Sequence, residues 1–229
     1  MSETVTHRDG LVQWRPEGTT DLATLTSQLN GALDAAQEDN PTSVLLIHLP
    51  LVDESSSWPR GSVLTEDVNR WERALFRLER SLLVSVAVVD GSVGGAAFDL
   101  LLACSVRLAT PGSSVQLAIN EGQLWPGMGL FRFTREAGVA GARRYLLWKT
   151  ELDVATLETL NLVDHVTPSI ESTIDATIEL IGTKDATDVA RRWALVREGG
   201  VTLADEVLGL HLDACDRELR RVNKLTTSS

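Results

Sequence analysis

Two hydrophobic rhythms take turns along this chain. Residues 44–49 and 86–89 are short, unbroken apolar runs rich in β-branched side chains, the mark of buried strands. Residues 106–109, 115–118 and 162–166 repeat that character more briefly. Residues 11–14 read as an edge strand behind a frayed stretch, 1–10. Between these runs the period lengthens to three and four. Leu22, Leu25, Leu29, Ala32, Leu33 and Ala36 form one stripe, opened by Thr20-Asp21 and stopped by Asn40-Pro41. The stop follows because a residue before proline is pushed out of helical geometry. Val68, Trp71, Leu75, Leu78 and Leu82 form a second stripe, with Thr65 as its cap. Glu66 and Asp67 lie in its first turn, Arg77 and Arg80 near its end, the order a helix dipole favours.

A third helix starts at Ala96 and carries Phe98, Leu101, Leu102 and Ser105. Further helices are predicted over 129–136, ending at Gly138, and over 140–148 and 154–160. Asp153 caps the last, and Asn161 closes it as a residue that tolerates left-handed backbone. After Pro168 only helical stripes remain: Ile170, Ile174, Ile178 and Ile181, then Ala190, Trp193 and Val196, then Leu203, Val207, Leu210, Ala214 and Leu219. Strand and helix alternating in this way predict an α/β fold with right-handed crossovers over residues 1–183. Residues 184–229 form a helical C-terminal region, too amphipathic to stand alone.

Composition removes several classes of function. The 229 residues, 43% of them hydrophobic, can fill one large domain. A formal charge of −11 and the lack of a basic stripe argue against nucleic acid. No apolar run is long enough to span a bilayer, and the first ten residues have no signal-like apolar stretch. A cytoplasmic protein is expected. Cys104 and Cys215 do not make a disulfide framework and read as small buried hydrophobes. Four histidines without metal-ligand spacing give no reason to expect a metal.

Candidate chemistry gathers in residues 85–138. The strand at 86–89 breaks at Asp90-Gly91, and Gly94-Gly95 allow close approach of the backbone. The next amides open a helix and favour negative charge. They could stabilise an enolate oxyanion formed from a thioester, or the glycines could serve only a tight strand-to-helix crossing. Asp99 lies one turn into that helix. A carboxylate at that place complements the helix dipole.

These motifs resemble the crotonase (enoyl-CoA hydratase/isomerase) superfamily. The matching residues are Val88-Val89-Asp90-Gly91, Gly94-Gly95-Ala96-Ala97, Asp99, Pro126-Gly127-Met128-Gly129 and Arg132 to Arg135. A later segment, 152–166, extends the likeness to roughly residues 11–183. The resemblance implies a spiral of ββα repeats and an acyl-CoA substrate, with no cofactor beyond that coenzyme A. It also implies an oxyanion hole at Gly95 and Ala96, substrate contacts at Gly94, Trp125, Pro126 and Gly127, and a homotrimer or hexamer. Asp99 matches the first catalytic glutamate of the hydratases, shortened by one methylene. The second is nearest to Glu121, although an ungapped count reaches Ile119. The second oxyanion donor falls somewhere in residues 58–64.

The chain is short for the superfamily. Its runs Asn69-Arg70-Trp71-Glu72-Arg73-Ala74-Leu75 and Trp125-Pro126-Gly127-Met128 look like the small crotonase-like proteins of 3,5-dihydroxyphenylglycine biosynthesis. That likeness implies a partner, a type III polyketide synthase or a sister crotonase. It implies dehydration of the synthase's polyketide-CoA product, or alternatively a non-catalytic role that stimulates the synthase.

Overall fold

The computed structural model describes residues 5–8, 11–16, 21–39, 44–52, 58–59, 61–120 and 122–182, together with 189, 192–193, 212, 216 and 219–220. The helical stripes expected at 190, 196, 203–210 and 214, and Cys215, lie outside them.

Two short strands, β1 (Val5–Arg8) and β2 (Leu11–Trp14), form an antiparallel hairpin. The expectation of a frayed start followed by an edge strand is therefore corrected. Part of residues 1–10 pairs with β2, so β1 takes the edge and β2 is bonded on both sides. Helix α1 (Leu22–Asp39) follows, with Asp21 accepting the Thr24 N–H at 2.9 Å as its cap. The six predicted stripe residues are all buried against the sheet.

The chain continues through β3 (Val44–His48), α2 (Thr65–Arg80) and β4 (Val84–Val89). Helix α2 begins at Thr65 itself, one residue earlier than expected. Leu64 is its N-cap, and the Asp67 carboxylate accepts the Leu64 N–H at 3.0 Å. Leu82 lies beyond the helix and is exposed, while Leu83 turns inward and completes the stripe.

From β4 the backbone passes into β5 (Ser92–Val93), α3 (Ala97–Ala103), β6 (Val106–Ala109) and β7 (Ser114–Gln116). Helix α3 is only seven residues long, so Ser105 falls outside it. Ser105 instead exchanges hydrogen bonds with Ser85: each hydroxyl accepts the other's backbone N–H, at 2.9 and 3.0 Å. A hairpin that the hydrophobic pattern did not reveal, β8 (Ile119–Asn120) with β9 (Gln123–Leu124), precedes α4 (Met128–Leu146). As predicted, this span is two helical segments that part at Gly138, where φ is +70° and ψ 164°, outside helical geometry. Strand β10 (Glu151–Asp153), α5 (Val154–Thr159), β11 (His165–Val166) and α6 (Ile170–Gly182) complete the described chain. Asp153 caps α5 by accepting the Thr156 N–H at 2.8 Å, and Asn161 takes φ +53° after it, both as predicted.

The main sheet has the order β1-β2-β3-β4-β6-β11, parallel from β2 onward. A second sheet runs β10-β7-β5. The chain thus steps from a main-sheet strand to a second-sheet strand and then to a helix, a spiral of ββα units. All six residues of β4 are buried because the main sheet is covered on both faces. Val12, Trp14, Leu45, Ile47, Ala87 and Val89 face α1, α2 and α3. Leu11, Val44, Leu46, Val86, Val88 and Leu108 face Ile174 and Ile181 of α6. This double covering fixes the carboxyl end of β4 and, with it, the turn that follows.

Candidate active site

The turn Gly94-Gly95-Ala96-Ala97 is closed by the Ala97 N–H, which donates to the Gly94 carbonyl at 3.0 Å. Gly95 sits at φ +58°, a left-handed conformation costly for other residues. Gly94 is held by its own N–H to the Pro50 carbonyl at 3.2 Å. A β-carbon on Gly94 would lie 2.7 Å from Val52 Cγ2, so this glycine permits the close approach of the 50–52 segment. The N–H groups of Gly95 and Ala96 have no hydrogen-bond partner among the described residues. Because α3 is a single pair of turns, its dipole is small, and the two turn amides themselves carry the local positive potential.

Asp99 lies in the first turn of α3 and is buried, 4% exposed. The indole Nε1 of Trp71 on α2 points at its Oδ2 from 3.5 Å. Its Oδ1 rests against the start of α4: a β-carbon on Gly129 would lie 2.5 Å from that oxygen, and one on Gly127 3.8 Å. The Pro-Gly-Met-Gly sequence is thereby explained, since only glycine at 129 leaves room for the carboxylate. Three elements, α2, α3 and α4, converge on one carboxyl group.

A narrow pocket of about 20 Å³ opens beside Asp99. Its wall is largely apolar: Trp58, Phe98, Leu117, Ala118, Leu124, Trp125 and Leu130, with Gly95, Gly127 and Gly129. That is room for about one water-sized group, narrower than the open cleft expected for an acyl-CoA. Trp58 accounts for much of the difference. It is 6% exposed, meets Trp71 edge-to-face with centroids 6.3 Å apart, and lies along the Cα of Gly95. The Asn120 side chain pins it from the β8 end, accepting the Trp58 N–H at 3.1 Å and donating to the Trp58 carbonyl at 2.7 Å.

Of the residues singled out in the sequence, the structure brings Gly95, Asp99, Trp125 and Gly127 to this pocket. Gly94, Ala96 and Pro126 support it without lining it; the Ala96 side chain is packed in the core. Glu121 lies outside the described residues, between Asn120 and Gly122 of the hairpin. The expected second oxyanion donor in 58–64 is not found among the described residues of that loop. Only Trp58 reaches the pocket, and its N–H is taken by Asn120.

Two features escaped the sequence reading. One is the clamp between Asn120 and Trp58, sixty-two positions apart, for which no local signal exists. The other is an ion cluster behind Asp99. Arg132, 1% exposed, donates Nη1 to Glu72 at 3.0 Å and Nε to Glu79 at 3.1 Å, and Arg135 approaches Glu79 at 3.7 Å. Burial pushes the Glu72 carboxyl up; Arg132 and the Met128 N–H pull against it. The Arg132 guanidinium resists deprotonation despite burial because Glu72, Glu79 and Asp99 surround it. A signal was present, since Glu72 and Glu79 sit seven apart beside the apolar stripe of α2, on the face that must be buried.

A parallel sheet spiralling through ββα units, with a glycine turn and a buried carboxylate at one pocket, defines the crotonase class of fold. Solved structures agree. An enoyl-CoA hydratase from Mycobacterium avium superposes with a TM-score of 0.78 at 19% identity, covering 95% of this chain and 91% of that one. One from M. avium subsp. paratuberculosis gives 0.73 at 22%, covering 94% and 92%. Among curated proteins, an enoyl-CoA-hydratase from Amycolatopsis orientalis is 38% identical over 194 residues, 85% of this chain and 88% of that protein. A mitochondrial dienoyl-CoA isomerase from Dictyostelium discoideum is 25% identical over 130 residues, 56% of this chain and 43% of that protein. No protein-family profile matches the chain. The chain belongs to the crotonase, or enoyl-CoA hydratase, superfamily.

Proposed function

We propose that this protein is an enoyl-CoA hydratase/isomerase-type enzyme, acting on an acyl-CoA thioester whose carbonyl oxygen is received at the Gly95–Ala96 turn. One observation carries the reading: Gly95, whose N–H like that of Ala96 has no partner among the described residues, lines a pocket into which a buried carboxylate projects. The Asp99 carboxylate takes a proton from the carbon next to the thioester carbonyl. The C–H electron pair moves into the carbonyl, and the turn amides stabilise the oxyanion of the resulting enolate. Collapse of the enolate then either expels a β-hydroxyl as water, taking a proton as it leaves, or returns the proton at a new position. Glu121 is the sequence's choice for the second proton carrier. The apolar walls exclude water, which strengthens the electrostatic terms. Trp58 must swing aside to admit an acyl chain, since the resting pocket holds little more than a water.

The finer reading is a place in secondary metabolism. The α2 run through Trp71 and the Trp125 turn support a likeness to the small crotonase-like proteins of dihydroxyphenylglycine biosynthesis. There the substrate is a polyketide-CoA made by a type III polyketide synthase, and enolisation with loss of water yields an aromatic acyl-CoA. A homotrimer or hexamer is proposed on the family likeness.

The narrowness of the pocket favours one second reading, a non-catalytic partner that raises the synthase's turnover. Purified protein assayed alone against enoyl-CoAs and a polyketide-CoA separates the two. Turnover that falls by about 100-fold or more in Asp99→Asn supports the enzyme. Inertness alone, with stimulation of the synthase that survives both Asp99→Asn and Glu121→Gln, supports the partner and contradicts the enzyme.

A further inference from the structure

Helix α2 reaches the pocket by two routes. Trp71 points its indole N–H at Asp99. The next residue, Glu72, is directed instead to α4, where its carboxylate takes the Met128 N–H and the Arg132 guanidinium at 3.0 Å. Met128 lies between Gly127 and Gly129, the two glycines whose Cα atoms form the wall against Asp99 Oδ1. Glu72 is 1% exposed and lines no part of the pocket. A buried carboxylate is an expensive way to join two helices: apolar packing does so without desolvating charge. The cost is understandable where a backbone must be held to a fraction of an ångström.

Resting on the enzymatic reading above, we infer that Glu72 is a positioning residue for Asp99, clamping the first turn of α4 through Met128 and Arg132 so that the Asp99 carboxylate is held in register with the Gly95–Ala96 turn. Glu72 touches no substrate; it acts through the α4 backbone and through the charge of Arg132. The charged groups around this arrangement are Glu72 and Glu79 from α2, Arg132, Arg135 and Glu136 from α4, and Arg107 from β6.

Glu72→Gln tests the inference, because the amide keeps the size and an acceptor oxygen but gives up the charge. Turnover and Asp99 titration are read together, the latter by carbon-13 NMR of labelled aspartate with Asp99→Asn as the assignment control. The expected result is a kcat lowered by about 10- to 100-fold with KM within about twofold. The Asp99 transition and the acidic limb of the kcat profile should both move to lower pH, since removing Glu72 leaves Arg132 to favour the charged carboxylate. A purely structural joint would lower the melting temperature and leave the Asp99 titration where it was, and that outcome overturns the inference. If the wild-type protein turns over no thioester, the enzymatic reading fails on its own. The titration then still decides whether Glu72 governs Asp99: a shift sustains the clamp, and an unmoved transition rejects it.

Discussion

Asn120 and Trp58 hold each other by both ends of one amide group: the side-chain oxygen of Asn120 takes the Trp58 N–H at 3.1 Å, and its nitrogen gives a hydrogen to the Trp58 carbonyl at 2.7 Å. Both residues are buried, so neither bond competes with water. Through this clamp the β8–β9 hairpin sets the position of the indole that narrows the pocket. Asn120→Ala is expected to cost roughly 1–3 kcal/mol of stability, because the Trp58 backbone groups stay buried without partners. It should also admit bulkier acyl groups. Urea unfolding and a comparison of KM across short and long acyl-CoAs check the two effects together.

Gly129→Ala is expected to damage the site directly. The new β-carbon would fall 2.5 Å from Asp99 Oδ1 and 2.7 Å from Phe98 Cδ1, so the carboxylate or the start of α4 must move. Overpacking of this kind costs about 1–3 kcal/mol. A β-carbon from Gly94→Ala would lie 2.7 Å from Val52 Cγ2 and in ordinary contact with Gln116, so its strain falls on the 50–52 segment and not on the carboxylate. Its turnover should stay closer to wild type. Thermal melts and kcat for the two variants, measured side by side, show whether the order holds.

His48 gives a pH signature. Burial holds its imidazole down to about 4 from an ordinary 6.5, with Arg15 adding to the effect and Asp90 opposing it. The folded protein therefore binds this proton less readily than the unfolded chain. Its contribution to stability is complete above pH 6.5 and is lost as pH falls from there toward about 4. Allowing for partial exposure, the loss is about 1–2 kcal/mol. His48→Gln should flatten that part of the curve, as urea unfolding at pH 7.5, 6 and 5 will show.

The sequence revealed the frame of the site more readily than its walls. The β4 run, Asp90-Gly91 and the paired glycines are local features, and they placed the turn and Asp99 correctly. The caps at Asp21 and Asp153 and the helix break at Gly138 were legible for the same reason, since each depends on its immediate neighbours. Strands β5, β8 and β9 are two residues each, too short to show an alternating pattern. The Trp58 wall depends on a partner sixty-two positions away. Trp71 was legible as core, but its indole N–H toward Asp99 was not. Helical spacing reports which face is buried and says nothing of what a polar atom on that face will meet.

The proposed chemistry begins with removal of a proton next to a thioester carbonyl by Asp99. The most direct measurement is deuterium uptake at that carbon of a saturated acyl-CoA, such as butyryl-CoA, incubated with the protein in heavy water. Wild-type protein should label the carbon well above the uncatalysed rate, and Asp99→Asn should lower that rate by about 100-fold or more. Labelling that is no faster than solvent alone, or equally fast in the variant, would contradict it.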